Sequence, residues 1–164
     1  MVPTGALRLA GDGRPRITLE TITRERVASD DGLIYNSYLT SYHERSHMKV
    51  APHRLYFKPQ AKVLEFLLRE ARVLVSCYPE DPNEILGYII FQHTPDAMVL
   101  HYLYAKLNGM GIHGGLLRAA IGGHRLAMLT HLRNDHKRLR KKMYEMGVQL
   151  VYDPFLLHRL MAHE

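Results

Sequence analysis

Cysteine is almost missing from this chain: Cys77 stands alone. A single thiol cannot close an intramolecular disulfide, which excludes the small stapled scaffolds of secreted proteins. Neither neighbour of Cys77 is a base that could activate it, so a buried strand thiol is expected rather than a nucleophile. Long apolar runs are missing too. No stretch approaches the ~18 residues of a membrane span, and residues 1–16 lack the continuous apolar core of a signal peptide. The expectation is a protein of the reducing cytoplasm with no membrane partner. Repeats and low-complexity blocks are absent, which excludes solenoids and rods. Acidic residues are outnumbered: 16 Asp and Glu face 22 Lys and Arg, a net charge of +6. The excess favours anionic partners such as nucleic acid, phosphorylated cofactors or an acidic protein face.

What is present fits one globular domain. The 164 residues are 46% hydrophobic and 23% charged, ordinary values for such a domain. Pro3, Gly5, Gly11, Gly13 and Pro15 mark residues 1–16 as an extended N-terminal arm, with a single domain expected over 17–164. Partial alternation over 17–22 predicts a first strand. Asp30 or Asp31 can cap a helix to about His43, placing Ile34, Tyr38 and Tyr42 on one face beside Tyr35. The polar, His-rich residues 44–58 read as a loop, and Pro59 suits the first turn of a second helix. In that helix Leu64, Leu67, Leu68 and Ala71 form one apolar stripe.

The period then changes. Residues 72–78, 85–92 and 98–106 read as strands, the last two joined as an antiparallel hairpin through Thr94, Pro95 and Asp96. A glycine-rich stretch over 108–115 leads into a helix striped by Ile112, Leu116, Ala119 and Ala120. A strand over 125–132 follows. Asn134 or Asp135 can cap a basic helix over 136–146 with Leu139, Met143 and Met146 buried, ended by Gly147. Residues 148–152 read as a last strand. This order argues an α/β, α+β-like fold with helices on both faces of one sheet.

The segment ILGYIIF, the run LHYLYAKLNGMGIHGGLLRA and the later MYEMGV resemble the GNAT superfamily of acyl-CoA N-acyltransferases, over about four-fifths of the chain. The resemblance implies a mixed, largely antiparallel sheet and use of acetyl-CoA with an amine acceptor. It implies that the strand end at Tyr104 and Ala105 pairs with the amide-bearing arm of the cofactor. A glycine-rich loop and helix start would then hold the pyrophosphate: Asn108, Gly109, Met110, Gly111, Ile112, His113, Gly114 and Gly115. The physical warrant is that a helix N-terminus supplies amide donors and a positive dipole end, and glycines admit close approach. Tyr144, in Tyr144-Glu145-Met146-Gly147, resembles the residue that protonates the departing thiolate. His101, with Glu84 and Gln92 nearby, lies where the family often carries its base, and a histidine hydrogen-bonded within the sheet is the competing role.

The segments IYNSYLTSY (34–42), RVLVSCYPEDPNEILGYII (72–90) and HYLYAK (101–106) resemble phage-encoded GNAT-like proteins, implying location in a host cytoplasm or a virion. Asn108 and His113 depart from the family's loop pattern, and the loop is shorter. These departures favour an alternative, a non-catalytic GNAT-fold component of a phage particle whose partners would be phage structural proteins or another acidic surface. Arg133, Lys137, Arg138, Arg140, Lys141 and Lys142 would supply the basic face for such a partner, for cofactor phosphates or for nucleic acid. No aromatic residues interleave with them, so single-strand stacking has little support. A distant third reading rests on His43-Glu44-Arg45-Ser46-His47, which matches H-E-x-x-H with His53 as a further candidate. Its polar flanks do not suit a zinc hydrolase helix, and no metal is expected.

Overall fold

A computed structural model describes residues 5–9, 15–45, 52–107, 110–131 and 136–162. The elements run in chain order as β1 (Gly5–Leu9), β2 (Pro15–Leu19), β3 (Ile22–Glu25), a 3-10 turn (Ala28–Asp30), α1 (Asp31–Arg45), α2 (His53–Glu70), β4 (Arg72–Cys77), β5 (Ile85–His93), β6 (Met98–Ala105), α3 (Ile112–Ile121), β7 (Leu126–Leu129), α4 (His136–Glu145), β8 (Gln149–Tyr152) and α5 (Leu156–Ala162). Strands β3 to β8 form a six-stranded sheet in sequence order. The β3–β4, β4–β5 and β5–β6 pairings are antiparallel, whereas β6–β7 and β7–β8 are parallel. The mixed sheet that the resemblance implies is therefore present.

Both faces of the sheet are apolar, as its continuous runs require. On one face Leu100, Leu103 and Ala105 of β6 pack with Leu116 and Leu117 of α3 and with Leu139 and Met143 of α4. On the other, Val75, Tyr88, Ile90 and Tyr102 pack with Ile34 and Tyr38 of α1 and with Leu64 and Leu67 of α2. Leu157, Leu160 and Met161 of α5 join this second core. Cys77 is fully buried, and burial pushes its thiol up, which suits an inert strand thiol.

Four expectations need correction. Residues 17–22 are not one strand: the ladder breaks at Glu20 and Thr21, so β2 pairs with β1 while β3 pairs with β4. The arm expected to run extended over residues 1–16 consequently pairs in part with residues beyond it, as the antiparallel strands β1 and β2. Residues 53–58 are helical, and Pro59 lies inside α2. Proline there has no N–H to donate to the Leu55 carbonyl four residues back, and this first part of the helix is anchored by Tyr56, 1% exposed. Its hydroxyl donates to the Leu39 carbonyl at 3.0 Å. Helix α5 was not foreseen. Asp153 accepts from the amide of Phe155 at 3.0 Å, and Pro154 precedes the helix, a combination of ordinary start signals.

A part-buried ion pair fastens β3 to the 3-10 turn that leads into α1. Arg24 donates to both Asp30 carboxylate oxygens, at 2.8 and 3.0 Å, and to the Pro82 carbonyl at 2.8 Å. Burial alone would raise the Asp30 carboxyl. The hydrogen bonds from Arg24 and the Val27 amide outweigh it and hold the group below its ordinary range.

Candidate functional site

The site is built where β6 changes partners. Its parallel ladder with β7 runs only through Met98, Val99 and Leu100, opposite Ala127, Met128 and Leu129. β6 continues to Ala105 with no further ladder to β7 among the described residues. Parallel strands that part leave a crevice at their carboxyl ends, the usual ligand position in open α/β sheets. At the same level the β5–β6 register shifts between Ile90 and Phe91, which pair with Tyr102 and Leu100. His101 is the extra, bulged residue. A bulge re-aims side chains: Leu100 and Leu103 face the α3 side, whereas His101 and Tyr102 both face α1 and α2.

His101 forms part of the floor of a cavity of about 280 Å³. Tyr38 of α1, Gln60, Val63 and Leu67 of α2, Thr130 and His131 after β7, and Pro154, Leu157, His158 and Met161 of the α5 region complete it. The histidine is 1% exposed. The Gln92 amide nitrogen donates to the Glu70 carbonyl at 3.1 Å, so its oxygen faces His101 Nε2 at 3.0 Å. The imidazole therefore donates from Nε2 and turns its Nδ1 lone pair to the Thr130 hydroxyl at 3.4 Å. Burial lowers its pKa to about 4, so the ring is neutral at physiological pH. This agrees with the expectation of a histidine bonded within the sheet. Gln92 stands beside it as expected; Glu84 instead pairs with Lys106 at 3.1 Å.

Aromatic rings continue the wall. Tyr102 lies 4.7 Å from Tyr38 and stacks on His131 at 5.7 Å, and Tyr88 stacks on Tyr104 at 5.3 Å. The Tyr88 hydroxyl reaches Ser37 Oγ at 3.0 Å and donates to the Ile34 carbonyl at 3.3 Å. Burial raises its pKa well above the ordinary phenol value. Tyr38 thus both packs and lines the cavity, and Tyr35 is half-buried.

The expected loop residues divide between backbone and core roles. Asn108 and Gly109 lie outside the described residues. Gly111 caps α3 with φ +84°, a left-handed conformation that glycine adopts without strain. Helix geometry directs the first-turn amides of Ile112, His113 and Gly114 out of its N-terminus. Gly115 is a correction to the expected donor set, because its amide closes the first helical bond to Gly111 at 3.0 Å. The Ile112 and Ala105 side chains are core, and Met110 packs against the same core.

Two close approaches were not foreseen. A Cβ at Gly87 would sit 2.6 Å from the Tyr104 carbonyl oxygen and 2.8 Å from Ile112 Cγ2, so glycine there lets α3 settle onto β5. A Cβ at Gly114 would meet Lys142 Nζ at 2.9 Å, with Arg118 Nη1 at 3.4 Å. Two cations from α4 and α3 therefore flank the first turn of α3. Lys142 was singled out only as one of a basic run; its i, i+3 and i−3 neighbours alone do not reveal the cross-helix contact.

Tyr144 is not brought to the cavity. It is 81% exposed on α4 and does not line the cavity around His101. The other functional candidates missed from sequence, Thr130, His131, Gln60 and His158, meet only through tertiary structure. Thr130 and His131 fall inside the strand expected over 125–132, whereas β7 ends at Leu129 and leaves both just past it, where ligands of parallel strands sit.

The remaining constellations are partly described. His43 is on α1 with its ring 4.8 Å from Tyr56 and 5.3 Å from Phe57. Ser46 and His47, and the side chains of Glu44, Arg45 and His53, lie outside the described residues, as do Arg133, Asn134 and Asp135. Among the described residues no group of three or more His, Cys, Asp or Glu is placed to hold a metal ion, and no helix is long and apolar enough to cross a membrane.

No family model matches the chain, and no curated protein does either. Solved structures do. A possible acetyltransferase from Clostridium difficile 630 aligns with TM-score 0.54 and 11% identity, covering 79% of this chain and 90% of its own. A protein of Pyrococcus furiosus provisionally assigned as an acetyl transferase gives 0.53 and 15%, over 88% and 93%. A provisionally assigned GNAT-family acetyltransferase of Desulfovibrio desulfuricans gives 0.52 and 13%, over 76% and 84%. The likeness is one of fold: the chain has the GNAT-like α/β architecture that its sequence resembles.

Proposed function

We propose that this protein binds acetyl-CoA in the crevice between β6 and β7 and transfers the acetyl group to an amine held in the His101 cavity. The observation that carries the reading is the coincidence of three features at one level of β6. The parallel ladder ends, the bulge turns His101 into the cavity, and the strand then runs on to the glycine-rich start of α3. The donor set suits a pyrophosphate. The amides of Ile112, His113 and Gly114 converge at the helix start, and the absence of a Cβ at Gly114 leaves room for Lys142. The helix start and the two side chains beside it are all of the charge that an anion requires. Lys142 and Arg118 take the place of the cationic anchor that Asn108 lacks.

Acetyl-CoA supplies an electrophilic carbonyl carbon and a thiolate leaving group. The β6 edge around Tyr104 and Ala105, which has no ladder to β7 among the described residues, is suited to hold its amide-bearing arm by strand-like pairing. His101, neutral and fixed by Gln92 and Thr130, presents the Nδ1 and Thr130 hydroxyl region as the hydrogen-bonding point for the amine. Tyr144 is the candidate proton donor to sulfur, from a position that leaves its phenol in water.

Calorimetric titration of the full chain with acetyl-CoA tests the reading. Micromolar binding is expected, with Lys142→Ala weakening it about tenfold, the loss of one charge-assisted phosphate contact. Tyr144→Phe should lower turnover with binding unchanged. No heat up to millimolar acetyl-CoA, for folded protein, would overturn the proposal. The non-catalytic alternative would then stand, and association with acidic protein surfaces through Arg138, Arg140 and Lys141, all exposed on α4, would be its test. Phage origin draws support from the 34–42, 72–90 and 101–106 segments alone.

A further inference from the structure

Resting on that acyl-transfer reading, we infer that the cavity beneath α1, α2 and α5 receives a small arylamine, uncharged at neutral pH, rather than an ammonium-bearing acceptor such as a polyamine. The first argument is electrostatic. Among the described residues lining the cavity there is no carboxylate. Asp153, adjacent to the lining residue Pro154, is engaged by Arg159 and by the Phe155 amide. An ammonium entering this space would lose water and meet no anion, a heavy cost for a charge. The net charge of +6 opposes it further at long range.

The second argument is shape and chemistry of the walls. Tyr38, His131 and His158 supply rings to the lining, while Leu67, Leu157 and Met161 supply apolar surface. Behind the lining, Tyr102 joins Tyr38 to His131 through ring contacts of 4.7 and 5.7 Å, fixing the two as parts of one aromatic cluster. Such clusters favour planar rings in offset or tilted contact. The volume of about 280 Å³ lies just below the ~300–1,000 Å³ of most small-molecule pockets, enough for a substituted ring and not for a folded peptide segment.

The third argument concerns protons. An arylamine nitrogen shares its lone pair with the ring and is unprotonated at neutral pH. It needs no base to remove a proton before attack, so neither His101, bonded on both nitrogens, nor the His131 and His158 rings of the lining is required to act as one. The N–C bond forms as the thioester C–S bond breaks, and one amine proton passes to sulfur. The products are the N-acetylarylamine and a free thiol.

The experiment compares para-toluidine with spermidine by calorimetry on the full chain at neutral pH, without acetyl-CoA. Para-toluidine is expected to bind at least about tenfold more tightly. Leu157→Trp, which fills the cavity from α5, should weaken it by a similar factor. Gln60→Glu, which places a carboxylate in the lining, should shift the preference toward spermidine and keeps the helix intact if Leu157→Trp does not fold. Equal or tighter binding of spermidine overturns the assignment, as does para-toluidine binding indifferent to both variants. Adding acetyl-CoA then separates the two readings. Toluidine binding without thiol release upholds the cavity assignment and sinks acyl transfer. Thiol release with spermidine alone sinks the assignment and upholds transfer.

Discussion

His101 is a basic residue whose surroundings hold it neutral, and this has a measurable cost in acid. Its pKa falls from 6.5 to about 4 on burial. Between those values the unfolded chain binds a proton that the folded chain refuses. Stability is therefore unaffected above about pH 6.5 and declines as pH drops toward 4, by up to ~3 kcal/mol. His101→Gln should remove this component, read as the difference between variant and parent in urea unfolding at neutral pH and near pH 4.5. A parent whose stability is flat over that window, relative to the variant, would contradict it. Asp30 behaves oppositely. Its carboxyl is held below 3.8, so its contribution is intact throughout that window and is lost only in stronger acid. Asp30→Asn leaves Arg24, 23% exposed, without its anion and should cost about 2–4 kcal/mol at neutral pH, somewhat less than a fully buried pair.

At the scale of elements, two glycines separate packing from propensity. Gly87 admits Ile112 and the Tyr104 carbonyl where a methyl group has no room. Gly87→Ala should cost about 1–3 kcal/mol and, by lifting α3 from β5, weaken acetyl-CoA binding with it. Gly115 lies in the same helix with nothing within 4 Å of a Cβ. Gly115→Ala should instead raise thermal stability, by about 0.5–1 kcal/mol. Equal effects of the two substitutions would mean that the close approach does not matter. This contrast also shows what sequence pattern could reveal. The strands β4, β5 and β6, the hairpin between the last two, α3, and α4 with its Leu139 and Met143 stripe follow from period and caps. Helix α2 begins earlier than its proline suggests because Tyr56 docks on α1, a tertiary contact. Helix α5 is short and polar-flanked, so its apolar side has meaning only against the second core. His101 was legible as a strand histidine, but the bulge that aims it, and the partners Thr130 and His131, depend on register between distant segments.

At the scale of the whole molecule, one sheet separates two cores. The α3 and α4 side carries the helix start proposed for a pyrophosphate, and the α1, α2 and α5 side carries the cavity proposed for the amine. Leu116 and Leu64, each fully buried, sit in the two cores. Truncating either to alanine should cost about 2–5 kcal/mol, from lost transfer energy and an incompletely collapsed cavity. With the sheet between them and no shared cluster, the two losses should add within about 0.5 kcal/mol. Their functional effects should part. Leu116→Ala loosens the seat of α3 and should weaken acetyl-CoA more than the amine, whereas Leu64→Ala lies one turn from Leu67 and should weaken the amine more than acetyl-CoA. Calorimetry of both ligands on both variants, below their unfolding temperatures, reads this directly. Crossed or equal losses would mean that the sheet transmits packing changes between its faces, and that the acyl and acceptor sites behave as one deformable unit.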